Sequence, residues 1–403
     1  MIPLITGSIS GIILGMISGL IPGIHSNTVA GILLGLSPFF LAVFGSEGLS
    51  AILIATLITH SFLDVLPSTF FGVPDEGTAL SVLPAHALAL AGKGEEAIRL
   101  SALGGLWGVS VGVPLSLAAY ALIKPFQGYI DWATAALLVF MMGLVIIMSE
   151  APLWTLIVFI SSGMLGLFAF RFEYLSWTTL GNSSILMPLL TGLFGLSVLF
   201  TSGQGLIPMQ RFSGIGLDQR GILKAAIPGT LAGFLVGWLP GLSTASASAV
   251  ISTGIRYEID QRQYLVSAGA ATTANALIGI AAFYAIDRTR NGVMVALSSL
   301  DPPPFVMILM LSSGVALIAY LLTIRFANSA RFFSGIDSRN MNTIIAAVVV
   351  VLCAIFTGPF GLFILACSCG IGLVPYLLNI PRVSCMGVVT VPVILISLGI
   401  GGF

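Results

Sequence analysis

Apolar residues dominate the chain in runs of about 20, each long enough to cross a bilayer as a helix, and polar residues gather where one run gives way to the next. The runs fall near residues 3–20, 28–45, 49–72, 100–123, 133–149, 151–169 and 184–202. A polar stretch follows, QGLIPMQRFSGIGLDQRGILK at 204–224, with Arg211, Arg220 and Lys224 against one acid. Further runs lie near 225–253, 265–286, 303–324, 341–357, 359–378 and 385–402. None shows the short alternation of a barrel strand, so helical spans are expected. The pattern predicts an all-α polytopic membrane protein with about 10–13 hydrophobic segments: one transmembrane repeat over 1–203, a polar linker over 204–224 and a second repeat over 225–403.

The two halves share a pattern at a constant offset of 218. Gly11, Gly15, Gly19, Pro22 and Gly23 fall on Gly229, Gly233, Gly237, Pro240 and Gly241, and each Pro-Gly is followed by small and hydroxyl residues. The glycines, four apart, read as close helix packing. The Pro-Gly pairs read differently. Proline lacks an N–H and clashes with the preceding turn, so each helix is expected to break there, and the next starts with unsatisfied backbone N–H groups. Such a broken segment is open to a re-entrant reading.

Ser26, Asn27 and Thr28 in the first half, and Ser243, Thr244 and Ser246 in the second, are placed to cap the new helices. The remaining N–H groups and the positive dipole end suit an anion, with His25 beside the first break. Paired broken helices in two halves point to a secondary transporter whose site lies where the breaks meet.

Ionisable residues inside apolar runs are costly and mark cavities or partners. LITHSFLDVLP carries His60 and Asp64 four apart on one helix face, either a proton-coupling pair or a structural hydrogen-bonded pair. A further break at Pro74 brings Asp75 and Glu76, followed by His86 and a solvent turn from Lys93 to Arg99. In the second half Asn275 lies in an apolar helix, and Arg288 and Arg290 just past it read as an interfacial loop.

Composition narrows the class. Of 403 residues 57% are hydrophobic and 7% charged, too few polar groups to clothe a water-exposed globule. The first run, near Ile2 to Leu20, lacks a basic n-region and a small-residue cleavage pattern and is expected to be retained. Fifteen basic and fifteen acidic residues give zero net charge, which argues against nucleic acid. Cys353, Cys367, Cys369 and Cys385 read as packing thiols, and no metal site or cofactor is expected. With no Gly-x-Ser-x-Gly elbow and no His-Glu-x-x-His pair, an intramembrane enzyme is disfavoured.

Several separated motifs carry a family resemblance. GLIPGIHSNTVAGILLGLSPFF, FFGVPDEGTALSVLPAHALALAGKGEEAIRLSALGG and GWLPGLSTASASAVISTGIRYEIDQRQYLVSAGAATTANALIGIAAF together resemble the TctA family. That family is the large membrane subunit of tripartite tricarboxylate transporters, and the likeness is strongest to its shorter archaeal-type relatives. In the family's Ile-Pro-Gly-Glu turn, Glu76 matches the acid. Within the family's Ala-Pro-Glu-x-Ala-Asn-Asn-Ala helix the chain departs: Thr272 stands for the glutamate and Ala276 for the second asparagine. The resemblance implies a carboxylate carrier driven by an ion gradient, with site residues at Pro22, Gly23, Ser26, Asn27, Thr28, Pro240, Gly241, Ser243, Thr244 and Asn275. It also implies a multi-pass protein of the plasma membrane, working with a small membrane subunit and an extracytoplasmic binding protein; a homodimer is compatible.

The expected function is secondary transport of small organic anions between the two Pro-Gly loops. His60 and Asp64, with Asp75 and Glu76, would couple protons, or loop hydroxyls and carbonyls would bind Na⁺. The competing reading keeps the architecture and changes the cargo, to a polyprenyl-phosphate lipid carried by a flippase.

Overall fold

The computed structural model describes residues 2–21, 26–72, 82–177, 185–201, 206–238, 260–289, 291–335, 337–380 and 382–400. Among these, eight helices are long and apolar enough to cross a membrane: Ile2–Leu20, Ser37–Phe71, Gly94–Leu122, Pro152–Arg171, Gln219–Trp238, Gln261–Ile286, Phe305–Ala327 and Asn342–Leu377. The protein is an all-α, multi-pass membrane protein. The described helices are α1 (Ile2–Leu20), α2 (Ser26–Gly35), α3 (Ser37–Leu63), α4 (Val65–Phe71), α5 (Val82–Leu90), α6 (Gly94–Leu122), α7 (Gln127–Ile147) and α8 (Pro152–Arg171). They continue as α9 (Leu186–Thr201), α10 (Gln219–Trp238), α11 (Gln261–Ile286), α12 (Gly292–Ser298), α13 (Phe305–Ala327), α14 (Ser338–Leu377) and α15 (Gly387–Ser397).

Two long helices are interrupted by glycine. Gly45 in α3 has φ 65° and ψ 177°, and Gly358 in α14 has φ 66° and ψ −163°, backbone regions closed to other L residues. The gaps between the apolar runs at 45–49 and 357–359 are these two kinks. Of the run expected over 225–253, the part to Trp238 lies in α10 (Gln219–Trp238), which starts six residues earlier, and the rest lies outside the described residues.

Glycine ladders set the helix directions. A Cβ at Gly15 of α1 would lie 2.6 Å from Thr59 Cβ, and one at Gly19 would lie 2.9 Å from Leu63 Cβ; Gly7 and Gly11 press on Gly48 and Ile52. Contact positions rise together, so α1 and α3 run parallel. Gly229, Gly233 and Gly237 of α10 meet Ser267, Ala271 and Ile278 of α11 in the same manner, again parallel. Gly104, Gly108 and Gly112 of α6 meet Val266, Ala270 and Leu277, adding a third parallel helix. Without a hydrophobic drive between helices in lipid, such backbone contact and its dispersion energy hold the bundle.

The α3 and α13 pair closes the arrangement. Ser46 Oγ donates to the Asp301 carbonyl at one end and Thr323 Oγ1 to the Phe62 carbonyl at the other, so these helices also run parallel. Phe305, at the start of α13, stacks on Tyr120 near the end of α6 and packs on Tyr284 near the end of α11, whose hydroxyl donates to the Pro303 carbonyl at 2.6 Å. Hence α1, α3 and α13 cross in one direction and α6, α10 and α11 in the other. Their shared apolar core draws on both sides of the linker, with Leu49, Ile52 and Ile58 against Leu277, Ile280 and Ile308.

A second cluster joins α8, α9, α14 and α15 through Val158, Leu189, Leu193, Ile364 and Val388. At the polar ends of α6 and α11, Glu96 accepts from Arg262 Nε at 2.6 Å, from Arg262 Nη2 at 3.2 Å and from the Gly216 N–H at 2.7 Å. This fork clamps two spans to the connection between the halves.

Candidate functional site

At the end of α1, Ser18 and His60 meet inside the protein, 2% and 6% exposed. His60 Nδ1 lies 3.0 Å from Ser18 Oγ, and the Ser18 hydroxyl donates to the Gly15 carbonyl at 3.3 Å. An imidazole protonated on Nδ1 therefore has a ready acceptor in the serine oxygen. Asp64 is also buried, one turn on from His60 at the junction of α3 and α4. Sequence reading found His60 and Asp64 but passed over Ser18, which looks like one more small packing residue.

The end of α10 is built alike. A Cβ at Gly19 would lie 3.2 Å from the His60 carbonyl, and one at Gly237 would lie 3.2 Å from the Asn275 carbonyl. Beside Gly237 the Trp238 ring is 4% exposed with Nε1 unpartnered, and Asn275 Oδ1 is likewise buried without a hydrogen bond. Unpaired buried donors and acceptors each cost about 1–3 kcal/mol, so they are rare unless something else satisfies them.

These two ends are linked through α6. Phe62 Cε1 and Thr273 Oγ1 would lie 2.7 and 3.0 Å from one Cβ at Gly105 of α6. His60 precedes Phe62 by two residues and Asn275 follows Thr273 by two. His60 and Asn275 thus each stand within two residues of the side chains that converge on Gly105, on helices running in opposite directions.

Arg288 lies in the loop just past α11, where the sequence reading set it, but its side chain makes contacts which that reading did not foresee. Asp287 caps α11 at φ 53° in the left-handed region, and the chain turns back. The Arg288 side chain, only 14% exposed, donates from Nη1 to the Trp238 carbonyl at 3.1 Å and pairs through Nη2 with Asp131 of α7. An αL aspartate is hard to foresee from sequence, so the inward turn of Arg288 was not legible; Arg290 lies outside the described residues.

Other expected site residues fall as follows. Ser26 is buried at the start of α2, and Asn27 Oδ1 accepts from the Gly292 N–H at 2.9 Å, joining α2 to the start of α12 in the other half. Thr28 lies in the first turn of α2. Pro22, Gly23, His25, Asp75, Glu76, Pro240, Gly241, Ser243 and Thr244 lie outside the described residues. His86, on the short helix α5, donates from Nδ1 to the Thr69 carbonyl at 2.9 Å; burial lowers its pKa, and that bond opposes the shift. Among the described residues no cluster of His, Cys, Asp and Glu could hold a metal, and the four cysteines are free.

Compared with known families, the chain matches the Tripartite tricarboxylate transporter TctA family over residues 5–387. It belongs to this family. The chain is also similar to an uncharacterized protein of Methanocaldococcus jannaschii, MJ1079: 29% identical over 304 residues, 73% of this chain and 72% of the relative. That archaeal relative agrees with the archaeal-type resemblance. No solved structure matches the chain. Family membership makes the protein a transporter component of the plasma membrane, and it favours that function over lipid flipping.

Proposed function

We propose that the chain is the membrane carrier of small organic anions, carboxylates, moved with an H⁺ or Na⁺ gradient, and that cargo binds where α1 and α10 end. The observation that carries this reading is the pairing of two alike-built helix ends beside α6, with Ser18 and His60 at one and the unpartnered Trp238 Nε1 and Asn275 Oδ1 at the other. The opposite directions of the α1, α3, α13 and α6, α10, α11 groups support two inverted repeats, with a Pro-Gly pair next in sequence after each end. Such sites, facing water only alternately, suit transport. The family's name supports a tricarboxylate and a tripartite assembly with a small membrane subunit and a binding protein.

Catalysis is no part of this reading. His60 with Asp64 would carry the coupling proton, or hydroxyls and carbonyls at the breaks would hold Na⁺. The test is uptake of labelled citrate and smaller di- and monocarboxylates into proteoliposomes of the purified chain, with and without the partner subunits, under imposed Na⁺ or pH gradients. Uptake driven by one gradient is expected; none under any combination would refute the reading.

A further inference from the structure

We propose that Arg288 is a carboxylate-recognition residue of this transport site, and that Asp131 holds its guanidinium as an internal stand-in for the cargo. The inference rests on the carboxylate-carrier reading and adds a residue that family resemblance does not supply. Three observations converge on it.

First, the guanidinium is aimed inward. The left-handed turn at Asp287 sends Arg288 back along α11, and Nη1 reaches the carbonyl of Trp238, the last residue of α10. It therefore stands at the helix end that also carries the unpartnered Trp238 Nε1, next to Asn275. Second, its carboxylate partner is engaged at one point only. Asp131 meets Arg288 through one nitrogen and one oxygen and is 46% exposed. The structural pair in the same protein looks different: Arg262 grips Glu96 through two nitrogens on two oxygens, and Glu96 is 4% exposed. A guanidinium is built for a two-point carboxylate fork, and one with a single-point, half-exposed partner can exchange it for a better one. Third, exchange has somewhere to go. Asp131 lies in the second turn of α7, which packs on α10 and α11 through Leu138, Ala232 and Ala268, so releasing it frees one end of a helix that leans on the site.

The test uses the purified chain with citrate, succinate and acetate as probes and chloride as control, read by ligand-induced thermal stabilisation and by proteoliposome uptake. Asp131→Asn removes the competitor and should tighten apparent affinity severalfold. Arg288→Lys keeps the charge but loses the fork and should weaken it at least about tenfold. The charge-swapped double variant, Arg288→Asp with Asp131→Arg, restores the ion pair but leaves no guanidinium on the α11 side, so affinity should stay lost. Recovery in the swapped protein, or weaker binding in Asp131→Asn, would overturn the proposal and leave the pair a structural latch. If the wild-type chain is stabilised by carboxylates in an Arg288-dependent way but takes none up, the recognition role stands and the carrier reading falls. If it takes them up and Arg288→Lys changes nothing, the carrier reading stands and this inference falls.

Discussion

Two single alanines separate the packing argument from a generic effect of removing glycine. Gly233 and Gly279 both lie within apolar helices of the same pair. At Gly233 a Cβ would sit 2.8 Å from Ala271 Cα and closer still to the Ala271 carbonyl, whereas at Gly279 it would meet nothing within 4 Å. The Gly233 clash is with backbone, so α10 must withdraw from α11 by about 0.6 Å or more to reach ordinary contact, enough to forfeit roughly a quarter of the dispersion energy along that seam. Overpacking of this kind costs about 1–3 kcal/mol, and Gly229 and Gly237 in the same seam leave no room to tilt. Gly279→Ala carries only the helix-propensity gain, up to about 1 kcal/mol. The variants should therefore differ by about 2–4 kcal/mol in opposite senses. Thermal unfolding of the purified proteins in one detergent and lipid mixture reads the difference. A Gly233→Ala protein melting at or above Gly279→Ala would refute the reasoning that backbone contact sets this crossing.

Further outcomes follow from other contacts. Glu96→Gln keeps the shape of the clamp but removes the charge facing Arg262, and should destabilise by about 1.5–3 kcal/mol in the same melt; an unchanged transition would show that the fork holds nothing. His60→Ala should change the pH dependence of uptake, and an unchanged profile would return His60 to a packing role. Helix directions place Lys93, Arg99, Arg220, Lys224, Arg262 and Arg325 at one face, and Lys124 and Arg288 at the other. The richer face should be cytoplasmic, so a cysteine at exposed Lys124 should react with an impermeant reagent in intact cells and one at exposed Arg220 only after permeabilisation; the reverse labelling would invert the topology.

Much of the helical layout was legible because transmembrane spans are long and apolar, and gaps as small as that between residues 357 and 359 proved to be real kinks. Gly358 illustrates why: only glycine takes that backbone, so the break falls on the one residue that interrupts the run. Direction was not legible. A Pro-Gly pair looks the same in sequence whether the chain turns back or continues, so basic residues could not be assigned to faces until the ladders at Gly15 and Gly233 showed which helices run together. The site was half legible for a related reason. His60 and Asp64 announce themselves because ionisable groups are costly in lipid, whereas Ser18 and Trp238 are ordinary membrane residues until their neighbours are known. The loop position of Arg288 was legible but its side-chain direction was not, because that follows from Asp287, a non-glycine in the left-handed region.

The matched helix ends also frame what each half contributes. Gly19 meets the residue 41 positions on and Gly237 the residue 38 positions on, so His60 and Asn275 occupy equivalent places despite a connection three residues shorter in the second half. Equivalent places carry unequal chemistry. The first end has an imidazole with a hydroxyl partner and a carboxylate one turn away; the second has a neutral amide, an indole N–H and a guanidinium reaching in from beyond the helix. An anion carrier needs positive charge where cargo binds and a group that can take up and release a proton or cation where coupling occurs. In the proposed mechanism a guanidinium, a two-point carboxylate fork, suits the first task, while an imidazole suits the second. On that proposal the division of labour follows from side-chain chemistry laid on a common frame: the α10 end would grip the anion, and the α1 end would do the coupling.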